Sequence, residues 1–259
     1  MTTRHALETK VHIEEFGSGF PVVLLHGTPT VPAHMRPLAE RLGRQFRALL
    51  VHLPGYGESP AMEPHELEHS QALVRGALAA RGAHQGHAIG FSTGAYRAFA
   101  LAVQGDVGFK SIVGLGAIAD FSHKSTEYLG FAQLLRAGTI DVAATCEELM
   151  LSPRGRQDSS CVADIRSWAS ATTNSSLASE LEMFAGAPDL RPALASLNVP
   201  LLLRVGGADV GTPPEISREI ASLVCHAGLE IVPDVGHALL CEDFEATAAA
   251  VERFLLANS

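Results

Sequence analysis

The chain has 259 residues, of which 47% are hydrophobic and 18% charged, with a formal net charge of −9. That length and apolar content support a buried core and exclude a disordered chain. The acidic balance, with no Lys/Arg-rich run, excludes nucleic acid as a partner. No apolar stretch approaches the roughly 18 residues of a membrane span, and Met1 to Lys10 lacks the apolar core of a signal peptide. Cys146, Cys161, Cys225 and Cys241 are scattered without C-x-x-C spacing, so the chain reads as a cytoplasmic protein with reduced thiols.

In chain order, Val11 to Glu15 alternates and predicts an edge strand, and Val22 to Leu25 a buried one ending in the turn His26-Gly27-Thr28-Pro29-Thr30. Met35, Leu38 and Leu42 recur at helical spacing over Pro32 to Leu42. Phe46 to Leu53 predicts the next strand, closed by Pro54-Gly-Tyr-Gly-Glu-Ser59, and Leu67 to Ala80 a helix. Ala88-Ile89 leads into Gly90-Phe91-Ser92-Thr93-Gly94 and a helix-like segment to Val103; Ser111 to Leu115 is strand-like again. Between about Asp120 and Arg191 the strand signal vanishes, and four segments with helical spacing follow one another, Tyr128–Ala137, Ile140–Leu149, Asp164–Thr173 and Ser176–Phe184. Strand and helix alternation resumes with Val199–Val205, Pro214–Val224, Leu229–Val232 and Phe244–Leu256. Apolar strands alternating with helices predict an α/β fold with a mostly parallel, doubly wound sheet covered on both faces. The expected division is a core of 1–119 and 192–259 with a helical insertion of 120–191.

The chemistry centres on Ser92, whose G-x-S-x-G sequence lies between a strand and a helix, the context of a strained turn that exposes a serine hydroxyl. A serine is a weak nucleophile without a base. Asp209, after the strand ending at Val205, and His237, after Val232, supply an acid and a base in the order Ser, Asp, His. Each stands past the carboxyl end of its own strand, the edge where open α/β sheets form ligand sites. His237 would accept the Ser92 proton, and Asp209 would fix the imidazole tautomer. The expected oxyanion hole is the backbone N–H of Thr93, at a helix N-terminus, with that of Thr28 from the turn after Leu25. Asp120 and Asp234 are the rival positions for the acid, and His26 reads as a structural hydrogen-bonding residue.

Together the His26-Gly27 turn, Pro54 to Ser59, the Ser92 turn, Gly206-x-x-Asp209-x-x-x-Pro213 and Gly236-His237 resemble the α/β-hydrolase superfamily over nearly the whole chain. Its 3-oxoadipate enol-lactonase-like and esterase-like members are the most similar in size and insert. The resemblance implies a helical cap between strands six and seven, an acyl-enzyme on Ser92, and a small or medium carboxylic ester or lactone as substrate. It implies neither a metal nor any other cofactor. Phe91, Trp168 and Leu239 are the expected substrate contacts. His26-Gly-Thr-Pro-Thr30 is similar to haloalkane dehalogenases, but those use an aspartate where Ser92 stands. His52 occupies a position where relatives carry aspartate and is assigned no role.

Three other readings accompany this one. The same triad serves C–C hydrolases of vinylogous diketones and cofactor-free perhydrolases, and some relatives only bind a ligand. His65-Glu66-Leu67-Glu68-His69 matches the H-E-x-x-H of zinc proteases, yet Pro64 and the surrounding acidic residues predict the solvated start of a surface helix.

Overall fold

A computed structural model describes residues 11–62, 65–105 and 107–259. Its seven strands are β1 (Ile13–Phe16), β2 (Pro21–Leu25), β3 (Arg47–Val51), β4 (Gln85–Phe91), β5 (Gly108–Leu115), β6 (Leu201–Gly206) and β7 (Ala227–Val232). They form one sheet in the order β1-β3-β2-β4-β5-β6-β7. Only β1 runs antiparallel to its neighbour.

The strands are apolar throughout because both faces are covered. Val23, Leu25, Leu49, Ala88, Ile112 and Leu203 point to one layer of the core, with α2 (Leu67–Ala79), α3 (Thr93–Val103) and α9 (Pro214–Leu223) packed over them. Val22, Leu24, Leu50, Ile89, Val113 and Leu202 point the other way, under α1 (Pro32–Leu42) and α11 (Phe244–Ala257). The two-residue alternation along each strand divides its side chains between these layers.

Helices α4 (Ser125–Ala137), α5 (Val142–Met150), α6 (Ser159–Ser170), α7 (Asn174–Ala185) and α8 (Arg191–Leu194) all lie between β5 and β6. Among the described residues these are the fifth and sixth strands. Asp141, Asp158 and Thr173 cap α5, α6 and α7 with side-chain oxygens that accept backbone N–H groups. α4 packs on α7, and α5 on α6. A short helix, α10 (Leu239–Glu242), follows the His237 turn.

The strand order fixes what meets at the carboxyl edge. β2 beside β4 brings the 26–30 turn against the Ser92 turn, and β6 beside β7 brings the Asp209 turn against the His237 turn. β5 lies between the two pairs and ends at Leu115, with Gly116 directly after it.

Candidate active site

Ser92 links β4 to α3 with φ 53° and ψ −121°, a conformation that costs a non-glycine residue about 1–3 kcal/mol. Its N–H donates to the Leu115 carbonyl at 2.8 Å, and its own carbonyl accepts from Ala95 N–H at 2.9 Å, closing the first turn of α3. The flanking glycines are required by space. A Cβ on Gly90 would collide with the Ala95 backbone, and one on Gly94 with the Leu25 and His26 carbonyls. Those contacts seat the serine turn on the β2 turn.

On the far side of β5, His237 Nδ1 lies 2.7 Å from Asp209 Oδ2, and both residues are buried. An ionised carboxylate only accepts, so Nδ1 carries the proton and Nε2 is the basic nitrogen. Thr212, which the sequence reading did not single out, completes this pair. Its N–H donates to Asp209 Oδ1 at 2.8 Å. Its hydroxyl lies 3.0 Å from Asp209 Oδ2, 2.9 Å from the Gly116 carbonyl and 3.1 Å from His237 Nδ1. Gly116, at φ 53°, lets the β5 end pass the imidazole, since a Cβ there would sit 2.9 Å from His237 Cε1.

Ser92, Thr28, Thr212 and His237 all line one cavity of about 200 Å³. Among the described residues no direct hydrogen bond joins the Ser92 hydroxyl to His237; the two meet as walls of this cavity, a separation that substrate binding commonly closes in such sites. The rest of the wall comes largely from α4 and α5 and is apolar, with Tyr128, Phe131, Leu135, Leu149 and Met150 prominent. Lys124 and Glu127 supply its charged groups.

The Thr93 N–H stands at the first position of α3, directly after the serine. The Thr28 N–H, the second expected oxyanion donor, is 2.9 Å from Thr93 Oγ1 and donates to it, and the two threonine hydroxyls are 3.2 Å apart. The three expected substrate contacts are not among the lining residues. Phe91 is fully buried between His34 and His237, with ring centroids 4.4 and 4.7 Å away. Trp168 packs on His34 at 4.6 Å, and Leu239 is buried at the start of α10. These side chains therefore back the site, one layer behind its surface.

The rival groups sit elsewhere. Asp120 accepts from the Ser122 N–H and hydroxyl at 3.0 and 2.6 Å and pairs with Arg191 at 3.1 Å. Asp234 is exposed. His26 accepts the Leu53 N–H at Nε2 (3.3 Å) and donates from Nδ1 to the Gly27 carbonyl (3.1 Å), and burial drives its pKa down to about 4. His52 bonds Glu14 at 2.6 Å and accepts the Glu58 N–H at 3.0 Å, tying down the loop after β3. His65 precedes α2 and His69 lies within it, and the described residues contain no cluster of three metal-ligating side chains.

Two carboxylates attach the inserted helices to the core. Glu180 of α7 pairs with Arg97 of α3 at 3.0 Å and accepts the Tyr56 hydroxyl, with every member buried. Glu242 of α10 accepts from Ser152 N–H at 3.0 Å, Gly236 N–H at 3.1 Å and the Ser152 hydroxyl. Neither was anticipated. The available signal was Arg97 itself, a lone cation in the otherwise apolar segment Ala95 to Val103, which demands a buried partner.

The chain is similar along its length to known proteins. It is 30% identical to pimeloyl-[acyl-carrier protein] methyl ester esterase of Aeromonas hydrophila, over 78% of this chain and 82% of that one. A thermophilic esterase from Thermogutta terrifontis superposes with a TM-score of 0.88 at 23% identity, covering 96% of this chain and 94% of the other. The enol-lactonase from Burkholderia xenovorans LB400 gives 0.86 at 22% identity, over 95% and 96%. The alpha/beta hydrolase family model matches residues 22–250. With that match across most of the chain, and with Ser92, Asp209 and His237 on one sheet edge, the protein belongs to the α/β-hydrolase family and is a hydrolase.

Proposed function

We propose that the protein is a serine esterase that cleaves a small or medium carboxylic ester, or the internal ester of a lactone, through an acyl-enzyme on Ser92. The observation that carries this reading is the 2.7 Å Asp209–His237 bond at the wall of the cavity that Ser92 also lines. His237 Nε2 takes the Ser92 proton as Oγ attacks the ester carbonyl, and Asp209 stabilises the imidazolium. The developing oxyanion accepts from the Thr93 N–H and from the Thr28 N–H, which exchanges Thr93 Oγ1 for the new charge. The imidazolium returns its proton to the leaving alcohol, and water activated by the same histidine releases the acid. An apolar wall of leucines, Phe131 and Met150 suits a hydrocarbon acyl group. The name of the Aeromonas hydrophila relative supports a small alcohol as the leaving group.

Mass spectrometry after treatment with a fluorophosphonate probe tests the assignment. Labelling is expected on Ser92 and absent in Ser92→Ala, whose turnover of p-nitrophenyl esters should fall by at least ~10³-fold with the fold retained. Labelling elsewhere, or a Ser92→Ala enzyme with more than about a hundredth of wild-type turnover, defeats it.

A further inference from the structure

The charged part of the cavity wall is built at the start of α4. Lys124, Tyr128, Phe131 and Leu135 all line the cavity, and their helical spacing puts them in one stripe that begins just before α4 and runs along it. The stripe is anchored at its charged end: the Lys124 N–H donates to the Phe121 carbonyl and the Tyr128 N–H to the Lys124 carbonyl, each at 2.8 Å. The Phe121 ring packs on that of Tyr128, with centroids 5.7 Å apart. The Lys124 side chain is 13% exposed against 48% for Glu127, so the lysine lies in the wall and the glutamate toward solvent. Their charged groups approach to 3.9 Å, well beyond the roughly 2.7–2.9 Å of a charge-assisted hydrogen bond. Among the described residues neither the Lys124 ammonium nor the Tyr128 hydroxyl has a hydrogen-bond partner. An ammonium held in an otherwise apolar wall brings donors that the wall itself leaves unanswered.

We propose that Lys124, with the Tyr128 hydroxyl on the same stripe, binds a carboxylate at the end of the acyl chain remote from the ester. The preferred substrates are then half-esters of dicarboxylic acids. The inference rests on the esterase reading above and narrows its substrate class. Phe131 and Leu135, part of the apolar wall that suits the acyl group, continue the stripe that Lys124 begins, so one helix reads both the chain and its terminal charge. The substrate carboxylate accepts from the ammonium, and Glu127 competes with it for the same charge. A neutral ester of equal length fills the apolar wall but leaves Lys124 without a partner.

The test compares monomethyl glutarate, adipate and suberate with methyl pentanoate, hexanoate and octanoate, pairs of equal carbon number, by methanol release. In at least one pair the wild-type kcat/KM should favour the half-ester by about tenfold, the effect of a charge-assisted hydrogen bond in a partly buried site. Lys124→Met should cut that ratio by the same factor, chiefly through the KM of the half-ester, because the carboxylate is bound alike in ground and transition states. Lys124→Arg keeps the charge and should keep most of the ratio. Glu127→Gln removes the competing carboxylate and should raise the ratio by about twofold. The wild-type ratio carries the test if Lys124→Met does not fold. A wild-type enzyme that favours the half-ester in no pair, or a ratio that Lys124→Met leaves as it was, overturns the proposal. O-Butyrylglycolate, which carries its carboxylate on the alcohol, is run beside ethyl butyrate; a preference found there and in no half-ester also overturns it. Fluorophosphonate labelling of wild-type Ser92 is measured alongside. If it fails, the esterase reading falls and this inference with it; if it succeeds while the ratios are flat, only the role of Lys124 falls.

Discussion

Asp209 and Glu180 are buried carboxylates with basic partners of contrasting kinds. Asp209 faces an imidazole at 2.7 Å that can gain and lose a proton and that lines the cavity. Glu180 faces a guanidinium at 3.0 Å that never loses its proton, in a space sealed on all sides. Thr212 occupies the remaining lone pairs of Asp209, as Tyr56 does for Glu180. Asp209 and His237 come from turns after neighbouring strands, whereas Arg97 and Glu180 come from separate helices. A carboxylate paired with a titratable group at a sheet edge suits proton transfer; one paired with a permanent cation between helices suits a fixed contact.

The comparison is broken most severely at the first pair. Asp209→Asn leaves the packing intact but removes the charge that selects the Nδ1–H tautomer, so kcat should fall by roughly 10²–10⁴-fold with little change in melting temperature. Steady-state kinetics beside a thermal melt reads both quantities. At the second pair the outcome is reversed. Arg97→Met strands the Glu180 charge and should destabilise the protein by about 3–5 kcal/mol, measured by urea unfolding. Arg97→Met combined with Glu180→Leu should recover most of that loss, because no uncompensated charge remains. Stability unchanged in the single variant would mean the pair carries little of the contact between α3 and α7.

A smaller effect concerns the imidazoles that have no carboxylate. Burial holds His26 down to about 4 and His34 to about 3, from an ordinary 6.5, with neighbouring His237 and His26 adding to the shift at His34. The unfolded chain therefore binds protons first as pH falls. Stability is complete above pH 6.5 and declines toward pH 4, on the order of 2 kcal/mol for each histidine by pH 5. Melts between pH 7 and 5 should show this decline, and His34→Leu should make it shallower; an unchanged slope would mean His34 is protonated in the folded protein.

The parts of this molecule legible in the sequence are those set by local chain chemistry. Apolar runs such as Val22–Leu25 and Leu201–Val205 read as buried strands because both faces of a parallel sheet are covered. Gly90 and Gly94 announce a turn that needs missing Cβ atoms, and Asp209 and His237 follow strands whose ends are marked by glycine and proline. Helix spacing alone located α4 to α7, with starts displaced by two to five residues where capping residues set the true N-termini (Ile140 against Val142, Asp164 against Ser159). What stayed hidden depends on folded distance. Glu180 lies 83 residues from Arg97 and 124 from Tyr56, and no periodicity encodes such a meeting. Trp168 and Phe91 were expected as substrate contacts, but both rings pack on His34 and neither lines the cavity, a placement that no local sequence pattern encodes. Thr212 was overlooked because its use depends on how the Asp209 loop curls back on itself.

Glu242 has a mechanical consequence when set beside Glu180. One fastens Ser152 at the end of α5 to Gly236, next to His237; the other fastens α7 to the helix that follows Ser92. A block attached at one end could swing clear of the sheet, but this one is riveted at two, and lifting it whole would strip bonds from the elements that carry Ser92 and His237 at once. The span before the Ser152 attachment, α4 and α5, forms most of the apolar wall of the cavity. Substitutions in that wall would leave both attachments in place, so it can vary in sequence without disturbing the seats of Ser92 and His237.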